Sequence, residues 1–114
     1  MKVSEIVELL QGKIITGEHI ANHEVETAFA SDLMSDVLTV KTDNLLLLTG
    51  LVNIQAIRTA EMSDIGCIVF VRNKMVTDEM VKIAGECKII LIQSAFSMFK
   101  ASGILFKAGI KPVF

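Results

Sequence analysis

Three stretches decide the fold: Leu45-Leu46-Leu47-Leu48, Cys67-Ile68-Val69-Phe70-Val71 and Ile89-Ile90-Leu91-Ile92. They begin at residues 45, 67 and 89, an even spacing of 22 residues. A strand with one wet face alternates apolar and polar residues, whereas a parallel strand covered on both faces reads as an unbroken apolar run. The three runs are therefore predicted to be central strands. Between them, Ile54, Ala56, Ile57 and Ala60 form one helical stripe. Val76, Met80, Ala84 and Cys87, at i, i+4, i+8 and i+11, form another. The expected fold class is α/β: a mainly parallel sheet with helices on both faces, built on a β-α-β-α-β unit over residues 45–108 with right-handed crossovers. The repeat lacks the asparagine or leucine ladder positions of a solenoid.

Outward from this unit the signals are weaker. Ser4 is expected to cap a helix carrying Ile6, Val7, Leu9 and Leu10, stopped at Gly12. A short strand follows at residues 13–16 and another at residues 25–30, after which Ser31 and Asp32 begin a short helix reaching Val37. The last helix carries a main apolar face of Ala95, Met98, Phe99, Ser102, Leu105 and Phe106, with Phe96 and Ile104 on the opposite side. That is more apolar surface than one contact hides. Either the preceding loops wrap its first half, or Phe96 or Ile104 contributes to a subunit interface.

The 114 residues, 52% of them hydrophobic, suffice for a single domain spanning 1–114 without disulfides or a metal. No apolar run approaches the ~20 residues of a membrane span. Acidic residues near the N-terminus replace a secretory signal, so a cytoplasmic location is expected. Cys67 and Cys87 form no Cys-x-x-Cys pair and are expected as buried reduced thiols. The net charge of −2, from 11 basic and 13 acidic residues, shows no basic stripe, and Trp and Tyr are absent. Neither nucleic acid nor a membrane is an expected partner.

Open parallel sheets bind ligands beyond the carboxyl ends of their strands. That rule selects Ser31, Asp32, Thr49, Gly50, Asn53, Arg72, Asn73 and Ser94, with Ser97, as candidates for a phosphate or carboxylate ligand. The competing reading is that these residue types only cap helices. Asp32 could act as a base or metal ligand, or sit in a helix first turn; Arg72 could clamp an anion, or be a surface turn residue. His19 and His23 have the i, i+4 spacing of metal ligands but lie in a turn with only glutamates nearby. No metal site, cofactor or catalytic residue is expected, since no nucleophile elbow, dinucleotide fingerprint or Walker motif occurs.

The chain resembles the DRTGG domain family, notably its stand-alone members. The likeness rests on residues 2–12 (Lys-Val-Ser-Glu-Ile-Val-Glu-Leu-Leu-Gln-Gly), 30–38 (Ala-Ser-Asp-Leu-Met-Ser-Asp-Val-Leu), 48–53 (Leu-Thr-Gly-Leu-Val-Asn) and 68–71 (Ile-Val-Phe-Val). The resemblance implies an α/β fold, a tendency to dimerise and a regulatory role. Related domains lie between CBS domains in some pyrophosphatases, and a similar fold precedes the kinase domain of HPr kinases. The family's Asp-Arg-Thr-Gly-Gly string is absent: Gly50-Leu51-Val52 stands where many relatives have Gly-Asp-Arg, and Val71-Arg72-Asn73 where they have Thr-Gly-Gly. Ser31, Asp32, Thr49 and Gly50 are the retained positions.

The reading is a non-catalytic regulatory or scaffold domain. It is expected to form a homodimer and to sense a small anionic ligand or dock on a partner enzyme. One alternative is a small enzyme acting on a phosphorylated or carboxylated metabolite, with Asp32 as base and Arg72 as anion clamp. Another is a purely structural subunit of a larger complex.

Overall fold

The computed structural model describes residues 1–17 and 23–114. In chain order the elements are α1 (Val3–Leu9), β1 (Lys13–Thr16), β2 (Thr27–Ala30), α2 (Met34–Val37), β3 (Leu45–Thr49), α3 (Ile54–Met62), β4 (Cys67–Phe70), α4 (Asp78–Cys87), β5 (Ile90–Gln93), α5 (Met98–Ala108) and β6 (Lys111–Pro112). All six strands join one sheet in the order β1-β5-β4-β3-β2-β6. Every pairing is parallel except β1 with β5, which is antiparallel and shifts register between Ile14 and Thr16.

The unbroken apolar runs have a direct cause. Successive residues of β3, β4 and β5 point to opposite faces of the sheet. Leu45, Leu47, Ile68, Phe70 and Leu91 enter one core with α2, α3 and α4; Leu46, Leu48, Cys67, Val69, Ile90 and Ile92 enter the other with α1 and α5. From β2 to β5 the chain steps one strand at a time in one direction, so right-handed crossovers put α2, α3 and α4 on one face. The β5-α5-β6 connection runs back across the sheet to the far side of β2, and the same handedness puts α5 on the other face.

Two expectations about helices are corrected. Ser4 does not cap α1: the cap is Lys2, whose backbone N–H donates to Glu5 Oε1 at 3.0 Å. A glutamate one turn in can thus fix a start that lacks a hydroxyl. The expected inward face of α5 is also rotated. Phe99 is 91% and Phe106 68% exposed, whereas Ala101 and Leu105 are buried, and Phe96 and Ile104 are half-buried against the core with them. The small Ala101 faces the core, and the two large rings, seven residues apart, lie together on an outer side of the helix.

Candidate functional site

Because β2, β3, β4 and β5 are parallel, their carboxyl ends share one rim, and every candidate from Ser31 to Ser94 lies on or next to it. The structure divides them by what their polar atoms are bonded to. Asn53 caps α3, its Oδ1 accepting from the Ala56 N–H at 3.0 Å, and Ser97 caps α5 by accepting from the Lys100 N–H at 3.1 Å. Ser94 is buried; its hydroxyl donates to the Leu10 carbonyl at 2.9 Å and accepts from the Phe96 N–H at 3.2 Å, tying β5 to the end of α1. Ser31 Oγ accepts from the Leu33 N–H at 3.0 Å, closing a local turn. These four hold the fold together.

Asp32 and Thr49 form a different arrangement. Asp32 belongs to no helix: α2 starts after Leu33, and the exposed carboxylate turns to the neighbouring strand end. Its Oδ1 accepts the Gly50 N–H at 2.6 Å and the Thr49 hydroxyl at 3.1 Å, and Thr49 Oγ1 in turn accepts the Leu51 N–H at 3.1 Å. The carboxylate of Asp32 thus sits where backbone and hydroxyl donors converge at the end of β3.

Two cations border the same point. Arg72 and Asn73 have left-handed backbones, φ 65° and 55°. The turn is pinned by the Arg72 N–H donating to the Phe96 carbonyl at 2.8 Å and the Asn73 N–H donating to the Ser94 carbonyl at 2.9 Å. This geometry lays the Arg72 guanidinium against the α-carbon of Gly50: a β-carbon added there would lie 2.9 Å from Nη2 and 3.3 Å from Nε. Only a residue without a side chain leaves that space open. Lys74 Nζ donates to the Gly50 carbonyl at 2.8 Å. Among the described residues, neither cation has a carboxylate within ion-pair distance. Sequence reading missed Lys74, whose only signal is its place two residues after Arg72 in the same turn.

Asn73 thus contributes backbone geometry, and Asp32, Thr49, Gly50, Arg72 and Lys74 come together. Phe96 belongs to this rim through its carbonyl, and the Lys100 ammonium lies 4.0 Å from the centre of its ring. Ile104 lies further along α5, away from the cluster. A separate apolar groove of about 340 Å³ runs between α5 and the β2–β6 edge, lined by Ala28, Leu48, Phe99, Phe106, Ile110 and Pro112.

The opposite rim carries the cysteines. Cys67 is buried and burial pushes its thiol pKa up, so it stays protonated and inert. Cys87 is half-buried rather than buried as expected, and its thiol is also raised, first by its hydrogen bond to Glu61 at 3.0 Å and then by desolvation. His19 lies outside the described residues. Among those described, no three His, Cys, Asp or Glu side chains gather to hold a metal, and no helix is long and apolar enough to cross a membrane.

No protein-family model matches the sequence, and no curated protein matches it. Among solved structures, the chain is similar to the crystal structure of the CBS and DRTGG domains of the regulatory region of Clostridium perfringens pyrophosphatase, complexed with an activator, diadenosine tetraphosphate. The TM-score is 0.74 at 11% identity, covering 91% of this chain and 45% of that one. This chain therefore spans under half the length of that structure's chain. At so low an identity the likeness speaks for the fold: an α/β, mainly parallel sheet in the arrangement of a DRTGG-like domain.

Proposed function

We propose that this chain is a non-catalytic regulatory domain of the cytoplasm that senses a small, phosphate-bearing anion at the carboxyl ends of β3 and β4 and relays its binding to a partner. The observation that carries the reading is the Arg72 guanidinium lying over Gly50, next to Lys74, at the rim where parallel sheets present ligands. An arginine fork matches phosphate oxygens in pairs, and the lysine adds a point charge. The regulatory region to which this chain is similar was crystallised with a phosphate-rich activator, which supports that ligand class. Two free thiols suit a reducing compartment.

The enzyme alternative has less support. Asp32, its proposed base, spends one oxygen on two donors, and no hydroxyl or thiol at the rim stands beside a histidine among the described residues. The partner is first a second copy of the chain, meeting through α5. Phe99 and Phe106 are exposed beside an apolar groove, and monomers rarely leave such patches open.

A thermal-shift titration with pyrophosphate and with diadenosine tetraphosphate, read alongside the mass in solution, tests this. A ligand at a hundredfold excess over its Kd adds about 2.7 kcal/mol of stability. The expected result is a raised midpoint in the native chain that disappears in Arg72→Ala, together with a dimer mass that falls to monomer in Phe99→Asp/Phe106→Asp. Absence of any shift with either compound overturns the ligand reading, and a monomer mass for the native chain overturns the dimer.

A further inference from the structure

The position of Asp32 is unusual for a residue bordering an anion site, because a carboxylate already occupies the donors that an anion would use. Its Oδ1 takes the Gly50 N–H at 2.6 Å and the Thr49 hydroxyl at 3.1 Å, within a cluster flanked by Arg72 and Lys74. The second oxygen, Oδ2, has no hydrogen-bond partner among the described residues, and the side chain is exposed. The backbone around it is fixed independently. The Ser31 N–H donates to the Leu48 carbonyl at 3.0 Å, and Ser31 Oγ accepts from the Leu33 N–H. Rotation about the Asp32 side-chain bonds therefore frees the strand-end donors without unpairing β2 from β3.

We infer that Asp32 is a built-in competitor: its carboxylate fills the anion seat at the end of β3 in the free protein and swings out when a phosphate group arrives. This deepens the anion-sensing reading above and rests on it. On displacement the Gly50 N–H and the Thr49 hydroxyl turn to the phosphate, Arg72 and Lys74 neutralise it, and Asp32 carries its charge to the outside of the loop leading into α2. The ligand thus repositions a charge at the start of α2, a movement that a bound partner can read. The same carboxylate sets the threshold, since a weakly charged or uncharged molecule does not repay the lost charge-assisted bonds.

The test is calorimetric titration of pyrophosphate into the full chain and into Asp32→Ala, Asp32→Asn and Arg72→Ala. The Gly50 amide is followed by 1H–15N correlation spectra. Losing the competitor is expected to tighten binding in Asp32→Ala about tenfold, equivalent to about 1.4 kcal/mol. Asp32→Asn keeps the shape and an acceptor but not the charge; it shifts in the same direction and stands in if the alanine variant folds poorly. The Gly50 amide is expected to move sharply on saturation of the native chain. Native binding that is unchanged or weakened by removing the carboxylate, or a stationary Gly50 amide at saturation, overturns the competitor and leaves the anion site standing. No binding by the native chain or by either Asp32 variant overturns both.

Discussion

The ends of β5 and β3 use the same local device for different purposes. Each has a buried hydroxyl residue at its close, Ser94 just after β5 and Thr49 as the last residue of β3, whose oxygen accepts the N–H two residues later, from Phe96 at 3.2 Å and Leu51 at 3.1 Å. Each hydroxyl then donates onward. Ser94 donates to the Leu10 carbonyl, a neutral group in the interior at the end of α1; Thr49 donates to Asp32, a charged and exposed side chain on a loop. The first bond has no competitor, because nothing else can reach it. The second can be exchanged, because its acceptor is an exposed side chain that can turn away from the buried hydroxyl. The acceptor, not the hydroxyl, separates a strand end that locks the fold from one that can respond.

Substitutions that exploit this contrast should order themselves by stability in one direction and by ligand response in the other. The largest stability effect is expected from Ser94→Ala, which leaves a buried carbonyl and an N–H unpaired and costs about 2 kcal/mol in a urea titration, with no specific effect on pyrophosphate affinity. Thr49→Val should cost less, about 1 kcal/mol, because its acceptor Asp32 is exposed and can turn to water, and, if the proposed anion seat is right, it should also weaken pyrophosphate binding by removing one of the seat's donors. Equal losses from the two substitutions would break the comparison. Gly50→Ala should change stability by no more than about 0.5 kcal/mol, since the atoms nearest its β-carbon belong to the movable end of Arg72 and the residue has no left-handed backbone to strain. It pushes the guanidinium aside, so pyrophosphate affinity should fall with the fold intact.

The smallest effect is at the opposite rim. The Glu61 carboxylate disfavours the Cys87 thiolate, so Glu61→Ala lowers that thiol's pKa, and alkylation of Cys87 at fixed mildly alkaline pH should speed up. Cys67 should stay unlabelled until the chain unfolds. This rim should show no dependence on pyrophosphate.

How far the sequence discloses all this depends on what each residue's reading required. The strands at 45, 67 and 89 were legible because burial on both faces leaves no polar residue in the run. The stripes of α3 and α4 were legible because each helix has one buried side. α5 was not, since apolar residues surround it; the eye follows Phe99 and Phe106, while Ala101 and Leu105 make the contact. Helix caps such as Asn53 and Ser97 and the candidates Asp32 and Thr49 are the same residue types at the same rim. Only the identity of the bonded partner sorts them, and partners such as Asp32 and Gly50 are 18 residues apart. β6 escaped notice because two residues, one of them proline, carry no pattern.

The two outermost strands bear on how this chain can associate. β1 offers a short edge interrupted by a register shift and beginning at Lys13; β6 offers two residues, one of them Pro112, which has no N–H to give. Both are obstacles to continuous ladder growth from molecule to molecule. Molecules of this chain are thereby steered away from joining their sheets edge to edge into fibres, so the proposed pairing through α5 would face little competition from open-ended growth.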